Sequence, residues 1–394
     1  MATKRTHLTI EGGYYLIILS FIIGGAVIRQ INLLMFVAGI MIGPLLISWF
    51  LVRRTLQRLE VRRSTPAGVG VGELLVVDLH VRNARRRLHA WGVVAEDFVE
   101  RQSTTTRERA HRAEAYLPFL KAQEERTVTY QGRIYQRGRY RLGPVRLTSR
   151  FPFGFLRRTT TVDAYDEFYV YPRLGSLQAN WIQGMQAGRV GSQTSQNRLG
   201  FVEGEFHGLR DYRPGDSRRW IHWRTTAKRN QLTVRQFERQ RNQDIAIIAD
   251  LGRTAVHDEQ QARAVEEAVS FAATVVEYFS RRGSGRVTLA IAGRDPLRLA
   301  GTTSAGFLQD SMRGLSVASA TRDDSLPQVL FECLEMLHPG TRIIIVSPHV
   351  TEFSDTDRFL RIWEDPRKRA ILSRVVCMQV GTPEFAACFD GGVP

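Results

Sequence analysis

The chain has 394 residues, 43% of them hydrophobic, and a formal net charge of +16; that length and apolar content exclude wholesale disorder and leave room for more than one domain. The basic excess calls for an anionic partner, for which lipid headgroups, nucleic acid or an acidic protein all qualify. Three cysteines, Cys333, Cys377 and Cys388, are too few for a disulfide scaffold and lack the paired short spacing of a zinc site, so they read as small core residues in a reducing compartment.

No residue is charged from Gly12 to Ile28, and after Arg29 the stretch Gln30 to Val52 is uncharged again. A helix needs about 20 apolar residues to cross a bilayer, so both runs are predicted to span it. Lys4 and Arg5 before the first run also suit a signal peptide, but no small-residue cleavage site follows and a second span comes at once. The link is too short for a domain, which makes the spans a hairpin over residues 1–57. Basic residues flank its two ends (Lys4 and Arg5; Arg53, Arg54, Arg58, Arg62 and Arg63), against Arg29 alone in the link. By the positive-inside rule the protein is a two-pass inner (plasma) membrane protein with its C-terminal part in the cytoplasm. The arginines after the second span, Arg53 and Arg54 first, form a collar expected to attract anionic lipid headgroups.

Residues 58–175 read as strands. Glu73–Asn83 alternates like a strand with one buried face, and Arg126–Phe151 carries Tyr, Val, Ile and Leu between Gly-containing turns, a spacing that suggests an immunoglobulin-like β-sandwich. The glycines of Gly68–Gly72 lack the Lys-Ser/Thr of a phosphate loop and are expected to be a flexible lead-in. Residues 176–243 begin polar and Gly-rich, as a mobile linker, and end in an unusually charged segment. From residue 244 strands and helices alternate. Strand candidates open at Asp244, Arg286, Thr341 and Arg374, and helix candidates at Asp258, Ser304, Ser325 and Asp355, predicting a doubly wound α/β sheet over residues 244–394.

Between Glu203 and Arg241 ten Lys/Arg stand against five Asp/Glu, and Trp220 and Trp223 are three residues apart. A nucleic-acid platform would use such arginines and tryptophans, but the acids repel phosphate, which weighs against nucleic acid. Ser217, His222 and Asp211 or Asp216 have the residue types of a hydrolase without its nucleophile elbow. The favoured reading is structural: Asp216 caps a short helix beginning near Ser217, with Trp220, Trp223 and Ala227 on one buried face and an arginine edge left for a partner. Nothing in the chain resembles a phosphate-binding P-loop.

The same segment resembles domain-of-unknown-function family fifty-eight. The pieces are Glu205, Arg210-Asp211-Tyr212-Arg213-Pro214-Gly215-Asp216, Ile221-His222-Trp223, Ala227-Lys228-Arg229 and Val234-Arg235-Gln236-Phe237-Glu238, with Arg137–Pro144, Phe151–Gly154 and Val170–Pro172 upstream. The resemblance implies a membrane-anchored protein with a von Willebrand factor A-like domain. It also implies, as partners, a MoxR-type AAA+ ATPase and transglutaminase-like membrane proteins, and a non-enzymatic role as adaptor or assembly factor of the bacterial envelope. The residues it offers for docking are Glu205, Arg210, Asp211, Tyr212, Pro214, Gly215, Asp216, Arg218, Arg219, Trp223, Lys228 and Arg229. A metal-binding A domain uses Asp-x-Ser-x-Ser with a later Thr and Asp, all oxygen donors. Here the loop reads Asp250, Gly252 and Thr254, with Thr302 or Thr303 as the other donor and Val346-Ser347-Pro348-His349 where an Asp is expected. That set is incomplete, so a metal-free protein-binding surface without a cofactor is expected.

Overall fold

The computed structural model describes residues 4–102, 111–178, 181, 206–213, 218–237, 244–254, 259–283, 285–338, 340–353, 355–372 and 375–392. The chain forms two compact units, Met1–Leu174 with Met312–Val317, and Gly175–Ser311 with Ala318–Pro394.

The first unit opens with strand β1 (Lys4–Leu8), followed by α1 (Ile10–Arg29) and α2 (Asn32–Thr55). Both helices are long and apolar enough to cross a membrane. Thr9 caps α1 by accepting the Gly12 N–H, and Gln30 ends it in the left-handed conformation. The Tyr15 hydroxyl donates to the Met41 carbonyl at 2.9 Å and ties the helices together.

Ten strands follow: β2 (Leu59–Ser64), β3 (Gly68–Gly70), β4 (Leu74–Asn83), β5 (Ala90–Arg101), β6 (His111–Leu120), β7 (Glu125–Arg133), β8 (Gly138–Leu142), β9 (Val145–Ser149), β10 (Leu156–Val162) and β11 (Asp166–Tyr171). They form a three-stranded sheet, β2-β4-β7, and an eight-stranded sheet, β1-β10-β9-β5-β8-β11-β3 with β6 beside β5. Strand alternation sends every second side chain inward. Leu79 and Val81 of the small sheet therefore share a core with Val93, Leu117 and Leu147 of the large one, and Leu75 and Val77 share another with Leu142 and Phe168.

Three features of this unit differ from the sequence expectations. Lys4–Leu8 is more than a charged flank: it is an edge strand antiparallel to β10, with Lys4 opposite Thr160 and Leu8 opposite Leu156. Gly68–Gly70 is no flexible lead-in but a strand parallel to β11, because a side chain at Gly68 would overlap the Tyr171 ring and only glycine permits that approach. Arg63 leaves the lipid-facing collar. Strand periodicity turns it inward, where it pairs with Asp97 and Asp166.

In the second unit β12 (Ser176–Leu177) pairs with β20 (Phe389–Asp390), and β13 (Phe206–Asp211) pairs with β14 (Thr233–Phe237) around α3 (Trp223–Arg229). The main sheet has the order β17-β16-β15-β18-β19, from Leu297–Thr302, Arg286–Ala292, Ile245–Asp250, Arg342–Ser347 and Val376–Gln379. Four strands are parallel, and the edge strand β17 is antiparallel to β16. β15 is an unbroken apolar run up to Asp250 and is buried along its length, as a central parallel strand requires. Helices α4 (Glu259–Arg282), α5 (Ala305–Val317, of which Met312–Val317 is grouped with the first unit) and α6 (Leu326–Met336) form where the periodicity places them. Gly283, at φ 65°, follows the end of α4, and Ser304 caps α5 by accepting the Phe307 N–H. α6 buries Val329, Leu330 and Cys333 against Ala246, Ile248, Ile343 and Ile345. Asp355–Asp365 yields only the short helix Leu360–Trp363, while β17 and the helices Pro366–Leu372 and Pro383–Cys388 lie outside the periodic stretches of the sequence.

Candidate functional site

Ligands of open parallel sheets gather at the carboxyl ends of the strands. Here β15 and β18 lie side by side and end on Asp250 and Ser347, so two polar side chains emerge from apolar strands next to each other. Asp250 is fully buried. One of its oxygens accepts the Gly252 N–H at 3.2 Å, and the other accepts the Ser347 hydroxyl at 3.1 Å. His349 follows β18 and brings Nε2 to 3.4 Å from the Asp250 Oδ2. The Thr254 hydroxyl donates to the Gly252 carbonyl at 3.0 Å, within its own loop. Cys377, read from the sequence as a core residue, is exposed on the edge strand β19.

This constellation holds fewer oxygen donors than the motif that binds a hard divalent cation. Gly252 offers no side-chain oxygen, the Thr254 hydroxyl donates within its own loop, and of the two side chains beside the Asp250 Oδ2 only Ser347 brings an oxygen, the other being the His349 imidazole. Thr302 does not join the set. It pairs with Arg286 at the start of β16, whereas Asp250 is level with Ala292 at the end, so Thr302 and its neighbour Thr303 belong to the opposite edge of the sheet.

Beside the loop, Arg358 donates to both carboxylate oxygens of Asp324, at 2.6 and 2.8 Å. Its pKa is raised chiefly by those hydrogen bonds, against the opposing effect of burial, with Asp250 and Asp355 adding attraction. Asp324, Pro327, Gln328, Asp357, Arg358 and Leu360 line a cleft of about 370 Å³. Ser347 and His349 were legible in the sequence only as missing ligands; their contacts with Asp250 follow from the β15–β18 register. The Arg358–Asp324 pair joins residues 34 apart and left no sequence signal.

The signature segment is a hairpin with a helical insert. Asp211 lies opposite Thr233, Arg210 opposite Val234, and Tyr212 N–H donates to the Leu232 carbonyl at 2.8 Å. Arg218 and Arg219 sit in a short 3-10 turn, and Arg218 is exposed. Two expectations are corrected. The helix starts at Trp223, and its cap is His222, whose Nδ1 accepts the Thr225 N–H at 3.2 Å. Trp223 is 66% exposed, and α3 buries no residue at all. A seven-residue helix anchored by the Thr226–Thr233 and His222–Thr233 hydrogen bonds leaves its first turn facing solvent. Lys228 and Arg229 are exposed in its last turn, where they complement the helix dipole. Glu205, Pro214, Gly215, Asp216, Ser217 and Glu238 lie outside the described residues. His222 spends its Nδ1 on the cap rather than on a serine nucleophile.

Over 265 residues the chain is 23% identical to the uncharacterized protein YeaD of Bacillus subtilis (strain 168), an alignment covering 66% of this chain and 62% of that relative. The chain thus matches less than two thirds of the length of that curated relative. Among solved structures, a β-glucosidase from Listeria innocua in complex with gluconolactone aligns with 29% of this chain and 16% of its own, at 18% identity and TM-score 0.21. A CARDB domain from Pyrococcus furiosus aligns with 28% of this chain and 91% of its own, at 18% identity and TM-score 0.18. Neither likeness says anything about the fold or chemistry of this chain. The hairpin from Gly208 onward and four strands of the main sheet fall within residues 208–362, and over those residues the chain matches the family described as "Protein of unknown function DUF58".

Proposed function

We infer that the chain is a membrane-anchored, non-enzymatic adaptor or assembly factor of the bacterial envelope. In this reading an immunoglobulin-like β-sandwich lies next to a two-helix anchor in the plasma membrane, and a von Willebrand A-like domain presents a protein-binding surface to a MoxR-type AAA+ ATPase in the cytoplasm. The observation that carries the anchor is β1. It precedes α1, yet it pairs in one sheet with β10, which follows α2, so both ends of the helical hairpin return to the same side. The basic flanks make that side the cytoplasm. The adaptor reading rests on the Asp250 loop, whose donors suit a hydrogen-bonded surface better than a cation, and on the exposed Trp223, Arg218, Lys228 and Arg229, residue types frequent at interfaces.

Topology is tested by labelling intact cells that carry a cysteine-free background. A cysteine at residue 30 should react with an impermeant maleimide, and one appended after the C-terminus should not; labelling of the C-terminal cysteine overturns the orientation. For the partner, the full chain and the ATPase are purified together, and nucleotide state should change their affinity. No association with any nucleotide refutes that partnership. Calorimetry with magnesium and manganese should show no site dependent on Asp250, and a site abolished by Asp250→Ala would revive a metal-dependent role.

A further inference from the structure

The inner face of β10 holds two buried polar side chains, each with an atom that no described residue partners. Arg158 is 8% exposed and Thr160 6%, and among the described residues neither the Arg158 Nε nor the Thr160 hydroxyl has a hydrogen-bond partner. Two residues apart on one strand, they share a face. On that face Val162, two residues further on, packs into the core that contains Leu56 and Leu147. Leu56 directly follows the last turn of α2. Arg53, from that turn, lies near enough to Arg158 to lower its pKa further, beyond the larger lowering caused by burial.

The opposite face of the same strand shows what is missing. There Arg157 stands 3.7 Å from Glu96, a buried carboxylate that also faces Arg112 and Arg146. Among the described residues no carboxylate pairs with Arg158. Buried charges in folded proteins are paired, because desolvation without a counter-charge is costly. A guanidinium, a second guanidinium and a spare hydroxyl supply positive charge and donors, and they lack only an acceptor.

The location selects that acceptor. The Arg53 guanidinium lies over the Trp49 ring at 4.6 Å and that of Arg54 over the Phe50 ring at 4.8 Å, a pairing suited to the membrane–water boundary. The loop before β10 packs against the start of α1: the Phe155 ring is tilted against that of Tyr15 with centroids 4.3 Å apart, and nearby Phe153 is exposed. We propose that Arg158, Thr160 and Arg53 bind the phosphate of an anionic phospholipid headgroup from the leaflet that adjoins the β-rich unit. The site rests on the membrane-anchored reading above.

The test uses the full chain, reconstituted in nanodiscs of phosphatidylcholine with a minor fraction of phosphatidylglycerol, then extracted in mild detergent for native mass spectrometry. The wild type should retain phosphatidylglycerol over phosphatidylcholine, Arg158→Gln should reduce that retention about tenfold or more, and Thr160→Val should reduce it less, since charge-assisted hydrogen bonds are the stronger ones. Should Arg158→Gln fail to fold, Arg53→Gln, whose side chain is exposed, carries the test with the same expected direction. Equal retention by the wild type and both arginine variants overturns the site. Displacement of the lipid by millimolar inorganic phosphate also overturns it, marking a free-phosphate site instead. Carbonate extraction separates the two readings: a chain released from native membranes refutes the anchor, whereas a chain that stays in the membrane without preferring phosphatidylglycerol refutes only the lipid site.

Discussion

Asp97→Asn should be among the most damaging single substitutions in the first unit. Asp97 has no solvent exposure. Its carboxylate accepts the Arg63 Nε at 2.9 Å, the Arg63 Nη2 at 2.8 Å, the Tyr130 hydroxyl at 2.7 Å and the Phe98 N–H at 2.9 Å. Burial by itself would lower the pKa of Arg63, and Asp97 with Asp166 more than reverses that. Burial, with Asp97 next, holds the Tyr130 hydroxyl far above its ordinary value, so it remains a donor. Arg63 belongs to β2 and Asp97 to β5, so the pair joins the two sheets a few residues after α2. An asparagine places an amide donor among donors and leaves Arg63 with only the partly exposed Asp166 and the Ala164 carbonyl. Removing one partner of a buried pair costs about 3–5 kcal/mol. At about 2–4 °C per kcal/mol for a unit of this size, the midpoint should fall by roughly 6–20 °C. Scanning calorimetry of the detergent-solubilised chain reads that shift. Glu167→Gln, which breaks the exposed Arg139–Glu167 pair, is the control and should cost under about 1 kcal/mol. A shift below about 2 °C for Asp97→Asn would refute the claim that this network holds the sheets together.

A Cβ at Gly12 would overlap the Phe155 carbonyl oxygen and come within 2.9 Å of Leu8 Cδ1; Gly12→Ala should therefore loosen the α1–loop junction by about 1–3 kcal/mol, seen as faster proteolysis between residues 149 and 156, and an unchanged digest would contradict the packing. Trp223→Ala should change stability by no more than about 0.5 kcal/mol, because the side chain is mostly exposed, while weakening partner binding; a large fall in melting temperature would mean that Trp223 is a core residue after all. Cys333 is buried and its thiol is pushed up to about 11, so iodoacetamide at neutral pH should modify it only on unfolding. Between about pH 9 and 11 the unfolded chain then binds fewer protons than the folded one, so the stability due to the neutral thiol is full below that window and is lost as pH rises through it.

What the sequence determined by itself was whatever depends on local periodicity. Two uncharged runs mark two helices long and apolar enough to cross a membrane, period-two alternation marks β4 and β7, and the apolar run before Asp250, followed by alternating helix and strand patterns, reads as a buried strand of an α/β sheet. What depended on distant partners stayed hidden. Lys4–Leu8 is polar and short, and nothing local marks it as a strand until β10, some 150 residues away, supplies its hydrogen bonds. Arg53, Arg62 and Arg63 look alike as juxtamembrane cations; strand phase alone turns Arg63 toward Asp97, and only the packing of α2 beside β10 sets Arg53 near Arg158. Trp223 carries the largest apolar side chain of its helix and so reads as core, yet burial depends on a facing surface, which a seven-residue helix on a hairpin does not meet on that side. In the Asp250 loop the sequence specified which oxygens were missing, and the register of β15 with β18 decided that Ser347 and His349 would fill the space around the carboxylate.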